Sequence, residues 1–253
     1  MAFIYRLLPM FTAALVAASF YAQFSYPFDF PYWAAAGVVC LPLSAFLIAR
    51  RRVAYADLAE KMLPTLLLIV SLAFSMLLSE GALSMWLIIV LAAVATYLSL
   101  ELLFFLAFMP SRYPVNGLSR VNIAYVPLTV WYAVATSTGL ITFLHSPVWF
   151  HVAGMILLGI VIFRTTGHPE ATPEQNRRWM LVGAFAGLHL GLLGIILPVS
   201  MTAQGMVGMI LFSAILRMRR YLYNPMPGRR QAIAEAVAAI VILGVALGTT
   251  RWL

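Results

Sequence analysis

Acidic residues are scarce in this chain. Eight Asp and Glu stand against sixteen Lys and Arg in 253 residues, and Lys61 is the one lysine. Charged residues are 9% of the total, where a soluble domain keeps roughly 25%, so a soluble domain is excluded. One cysteine, Cys40, rules out an intramolecular disulfide and leaves the redox compartment open. No HExxH, GxSxG, P-loop or CxxC motif occurs, and no dense Asp/His/Cys cluster of the kind intramembrane metal hydrolases carry. Lys61 lies at a helix mouth, which excludes a retinal Schiff base. No cofactor and no metal are expected.

What remains is apolar. Hydrophobic residues make up 63% of the chain and mean hydropathy is +0.96. Apolar runs recur along the whole length, the pattern of an all-α, polytopic transmembrane bundle forming a single integral membrane domain over residues 1–253. A net charge of +8 would suggest nucleic acid in a soluble protein; here it reflects basic loops, and no nucleic-acid partner is expected. The opening "MAFIYRLLPMFTAALVAASFYAQ" has the outline of a signal peptide. Its apolar run exceeds a usual signal core and the chain starts at Met1, so a retained first helix is expected.

Nine candidate spans follow: 3–22, 33–49, 62–79, 84–109, 121–144, 147–163, 179–200, 202–217 and 231–249. Most meet the ~20 residues needed to cross ~30 Å of hydrocarbon. The sixth and eighth are short, and dropping either would reverse everything after it. Charge resolves the count. Arg6, the run Arg50–Arg52, Lys61, Arg112, Arg120, Arg164, Arg177, Arg178, Arg217, Arg219, Arg220, Arg229 and Arg230 all fall at alternate connections. The other connections, around 23–32, 80–83, 145–146 and 201, hold no Lys or Arg, and only Arg251 dissents. Nine spans with a cytoplasmic N-terminus and an outer C-terminus fit the positive-inside rule. The expected address is a cell membrane of the bacterial inner-membrane type. Spans three to eight can be read as three hairpins entered at Lys61, Arg120 and Arg178, a faint repeat without side-chain identity.

Gly183, Gly187 and Gly191 make a small-residue stripe on span seven. Gly244 and Gly248, extended by Ala232 and Ala236, make another on span nine. Both are read as helix-packing faces. Pro42, mid-span, is expected to kink the second helix.

No soluble catalytic domain fits the short loops, so chemistry must come from helix-borne residues. Glu101 is a carboxylate inside "YLSLELLFFLAF", with Tyr97 one turn away. An acid at a helix centre costs roughly 2.5–3.5 kcal/mol, which makes such residues functional candidates. His189, near the middle of span seven, points away from Gly187 and Gly191. If spans four and seven face each other, Glu101 and His189 form a proton relay; the bland alternative is a local hydrogen bond for each. His145 and His151 lie near the outer surface, and His168 with Glu170 and Glu174 lies in a solvated loop. Glu235 opens span nine, where Arg229 and Arg230 can pair with it. Arg50, Arg51, Arg52, Arg217, Arg219 and Arg220 are candidates for anionic headgroups or a lipid-linked phosphate. The outer segment "FSYPFDFPYW", with Phe28, Asp29 and Phe30, reads as an extended path because of its two prolines. It suits an interfacial aromatic belt or docking to a membrane protein partner.

Three functional classes fit. The first is a small permease with a proton- or cation-linked path through Glu101, His189 and Tyr97. The second is a non-catalytic subunit or assembly factor of a membrane complex. The third is a membrane enzyme for a lipid or isoprenoid phosphate, which suffers from few acids at the basic mouth: Asp57, Glu60, Glu170 and Glu174.

Overall fold

The computed structural model of the chain describes residues 2–50, 52–79, 81–166, 172–197, 199–223 and 229–248, without the side chains of 2–4, 220, 222, 223, 229, 231, 232, 246 and 247. Among these residues there are nine α-helices and no β-strand: α1 (Ala2–Ser25), α2 (Phe30–Ala49), α3 (Tyr55–Met76), α4 (Ala82–Phe108), α5 (Gly117–Leu144), α6 (Val148–Thr165), α7 (Pro173–Ile196), α8 (Met201–Tyr223) and α9 (Arg229–Gly248). The first eight are long and apolar enough to cross a membrane, and the ninth has a shorter apolar stretch, Ile233–Val245. The protein is a multi-pass membrane helical bundle. The sixth and eighth spans, short in the sequence, are helices of 18 and 23 residues. α8 outruns its apolar segment because the helix continues through Arg217 and Arg219 to Tyr223.

The connections 26–29, 77–81, 145–147 and 197–200 hold no Lys or Arg, while the other four carry or adjoin the arginine clusters. Each helical hairpin thus has a bare end and a basic end.

The aromatic segment at the first bare-end connection is not extended. α1 runs to Ser25, a 3-10 turn covers Pro27–Asp29, and α2 starts at Phe30. Each of the two prolines sits in a first helical turn, Pro27 in the 3-10 turn and Pro31 in α2. There the missing N–H has no intrahelical partner to lose and the fixed φ suits the helix. Pro9, Pro42, Pro64 and Pro127 lie inside α1, α2, α3 and α5, which continue through them.

The chain divides into two compact units, 1–125 and 126–253, with the boundary inside α5. In the first unit α1 packs mainly on α4 and α2. It buries Thr12, Ala13, Val16, Ser19, Phe20 and Gln23, one stripe at helical spacing. The first helix is thus part of the core. Buried hydroxyls stitch helices together in the absence of a hydrophobic drive between them. Thr12 and Ser44 hydroxyls are 2.7 Å apart, linking α1 to α2. Those of Thr65 and Ser99 are 2.8 Å apart, linking α3 to α4. Asn122 Nδ2 donates to the Lys61 carbonyl at 2.7 Å, and the Tyr125 hydroxyl to the Ala95 carbonyl at 3.2 Å.

In the second unit α6 packs extensively on α7, more so than α7 on α8. The reason is the glycine seam. A methyl built at Gly187 would land on the Met155 carbonyl, and one at Gly191 would lie 2.9 Å from Val152 Cα. Gly159 on α6 faces Gly183 in the same way. The two backbones are in direct contact, as small residues in a membrane allow. Along the second expected stripe nothing among the described residues lies within 4 Å of a methyl built at Gly244 or Gly248, and Ala236 is exposed, while the Ala232 side chain lies outside the described residues. Near the bare end, Thr138 Oγ1 donates to Gln204 Oε1 at 2.6 Å, and Gln204 Nε2 to the Leu197 carbonyl at 2.6 Å, closing the turn after α7.

Candidate functional site

α4 is apolar around its whole circumference, so packing alone decides which face is inside. Ile88, Ala92, Ala95, Ser99 and Leu103 are buried. Leu83, Leu87, Val90, Val94 and Tyr97 form the opposite, exposed stripe. Glu101 continues that stripe at i+4 from Tyr97 and is half-buried. Seven residues separate it from Phe108 at the helix end, about 10 Å along the axis at 1.5 Å per residue. Among the described residues its carboxyl has no hydrogen-bond or ion-pair partner.

His189, in the second unit, is also on an outward face. Gly183, Ala186, Gly187, Leu190 and Gly191 are buried against α6, and His189 is exposed beside Phe185. Its Nδ1 lies 2.8 Å from the Phe185 carbonyl, and the two rings are 4.2 Å apart. A carbonyl only accepts, so Nδ1 carries the proton, and in the neutral ring Nε2 is an outward acceptor. The sequence spacing placed this ring opposite the glycine seam, and it is there. His151 is buried, with Nε2 on the Ser146 hydroxyl across the α5–α6 turn. His168 and Glu170 lie outside the described residues.

The arginines divide into two kinds. Arg50 Nη1 donates to the Tyr5 hydroxyl at 3.1 Å, and Arg52 Nη1 to the Ala107 carbonyl at 3.2 Å, both exposed. The Arg52 guanidinium lies 4.2 Å from the centre of the Phe108 ring. Arg219 is instead buried, 3% exposed. It donates to the Phe163 carbonyl at 2.7 Å and to Asn176 Oδ1 at 2.8 Å, between the Phe163 and Trp179 rings. Arg217 pairs with Glu235 at 2.8 Å, and the Tyr221 hydroxyl donates to the same carboxylate at 2.6 Å. Glu235 is therefore held by α8. The expected pairing with Arg229 falls on a side chain outside the described residues. Arg51 and the Arg220 side chain lie outside the described residues.

At the bare end Phe28 is 99% exposed and Asp29 is exposed, while Phe30 packs on Phe74 with ring centres 5.6 Å apart. The burial of Arg219 and of Gln23 was not anticipated from the sequence. Arg219 lies seven residues past buried Phe212, hence on the same face of α8. Gln23 lies seven residues past buried Val16, and its amide has no partner among the described residues. Comparison with protein-family models, curated proteins and solved structures finds no match to this chain.

Proposed function

We propose that the protein is a non-catalytic component of a membrane complex, holding a partner's transmembrane helix along the outward stripe of α4. The observation that carries this reading is Glu101, an acid within the span, on an exposed apolar stripe, with no partner among the described residues. Left to lipid, a carboxyl in a span is costly. A neighbouring helix that brings an Arg, Lys or other donor to the same depth removes that cost and fixes its own register. The outward placement of both Glu101 and His189 favours contact over a path through the inside of either unit.

The test is native mass spectrometry after mild extraction into nanodiscs. The wild-type chain is expected to carry a stoichiometric second protein, and Glu101→Leu to lose it by about tenfold or more. A wild-type chain that runs alone, or a partner retained by Glu101→Leu, sinks the proposal. Substrate-driven proton flux in liposomes, lost in Glu101→Gln, would then establish a permease instead.

The same reading places the basic end in the cytoplasm, with the N-terminus inside and the C-terminus outside. In a Cys40→Ser background, Phe28→Cys is expected to react with an impermeant maleimide on intact cells and Arg112→Cys only after lysis. The reverse labelling would overturn the orientation.

A further inference from the structure

We infer that Arg50 and Arg52 form a binding site for a phosphate-bearing anion at the basic end of the first unit. The site is built by four side chains. Tyr5 of α1 and Phe108, the last residue of α4, stack with ring centres 5.4 Å apart and planes 27° apart. Arg50, at the end of α2, is tied to the Tyr5 hydroxyl. Arg52, in the α2–α3 connection, lies over the Phe108 ring and on the Ala107 carbonyl. A cation is favoured there by the C-terminal dipole of α4 as well as by the ring face. Each of the two flexible side chains is thus tied to one ring of the same aromatic stack, Arg50 at the Tyr5 hydroxyl and Arg52 over Phe108, and that ordering lowers the cost a ligand meets.

Both guanidiniums are left with spare capacity. Each has five N–H donors, and each makes one hydrogen bond among the described residues. Neither pairs with a carboxylate among those residues: the ion pairs there are Arg178 with Glu174 and Arg217 with Glu235. Arg219, by contrast, is buried against Phe163 and Asn176 and out of reach of a headgroup. Planar guanidiniums that are exposed, oriented and uncompensated match the paired oxygens of a phosphate. The position beside the last turn of α4 is where a phospholipid headgroup would lie. A soluble phosphate shares that chemistry.

The test uses the full chain in phosphatidylcholine nanodiscs containing phosphatidylglycerol, with bound lipid counted by native mass spectrometry. The double variant Arg50→Gln/Arg52→Gln is expected to lose retained phosphatidylglycerol by about thirtyfold. The control Arg112→Gln/Arg120→Gln removes the same charge from the same end and is expected to retain it. Arg50→Lys/Arg52→Lys, which keeps the charge and guards against misfolding, is expected to fall between them because a point charge lacks the paired donors. Equal retention in the Gln variant and wild type overturns the site, as does equal loss in the two Gln variants, which would show net charge alone. Inorganic phosphate distinguishes the source: displacement of the lipid assigns the site to a soluble phosphate, and resistance assigns it to the headgroup.

Discussion

Gly187→Ala is expected to lower the thermal stability of the protein, while Gly154→Ala raises it slightly or leaves it unchanged. Both residues are helical, so both substitutions gain the same helix propensity, about 0.5–1 kcal/mol. They differ in what the new methyl meets. At Gly154 nothing among the described residues lies within 4 Å. At Gly187 the methyl strikes the carbonyl and Cα of α6 residues, backbone atoms that move only if the helices separate. Overpacking of this kind costs about 1–3 kcal/mol, and separation also weakens the contacts of Gly159, Gly183 and Gly191 along the seam. The difference between the two variants is read in a thermal melt in detergent or nanodiscs. Equal shifts in both would show that the seam does not hold α6 to α7.

Legibility of the sequence follows from what lipid does to its signals. Helix number was readable because each span must be continuously apolar, and the alternation of arginines fixed the count where α6 and α8 looked short. Helix ends were less readable at the basic end. α3 begins at Tyr55 and takes in Asp57, Glu60 and Lys61, and α7 begins at Pro173 behind a Thr172–Gln175 capping box. Hydropathy sees only where the lipid stops, whereas the helix continues into the interface. The segment 24–33 was misread for a related reason: its prolines start helices instead of interrupting one. Small-residue spacing says that two backbones can approach, not that a neighbour is there. That is why the same pattern marks the seam at Gly187 and, at Gly244, a face with no neighbour among the described residues. The direction of Glu101 was hidden for the deepest reason. α4 is apolar on both faces, so no periodicity distinguishes core from lipid, and the packing of α1 on the opposite side had to settle it. The arginines looked alike as charges. Only the fold separates Arg52, which caps α4 and stays exposed, from Arg219, which is enclosed.

Arg219→Leu is expected to loosen the basic end of the second unit, and Arg219→Lys to fail to restore it. Arg219 joins the last turn of α6, through the Phe163 carbonyl, to the first turn of α7, through Asn176, from a position on α8. Leucine leaves the carbonyl and the amide oxygen without this donor, at about 1–3 kcal/mol for each group that stays buried, and forfeits two aromatic contacts. Part of that is offset because the desolvation of a buried cation is no longer incurred, so the expected net loss is about 2 kcal/mol. Lysine keeps the charge but has no planar fork to reach two acceptors at once, and it buries a more strongly hydrated ion. Hydrogen exchange at the start of α7 should therefore rise in both variants. Arg217, two residues away on the same helix, is the internal comparison. Its ion pair with Glu235 is 56% and 30% exposed at the two side chains, so Arg217→Leu should change stability by no more than about 1 kcal/mol. Full rescue by lysine would mean that positive charge alone, and not the geometry of the guanidinium, holds the three helices at this end. An equal loss at Arg217 would mean that burial does not distinguish the two arginines.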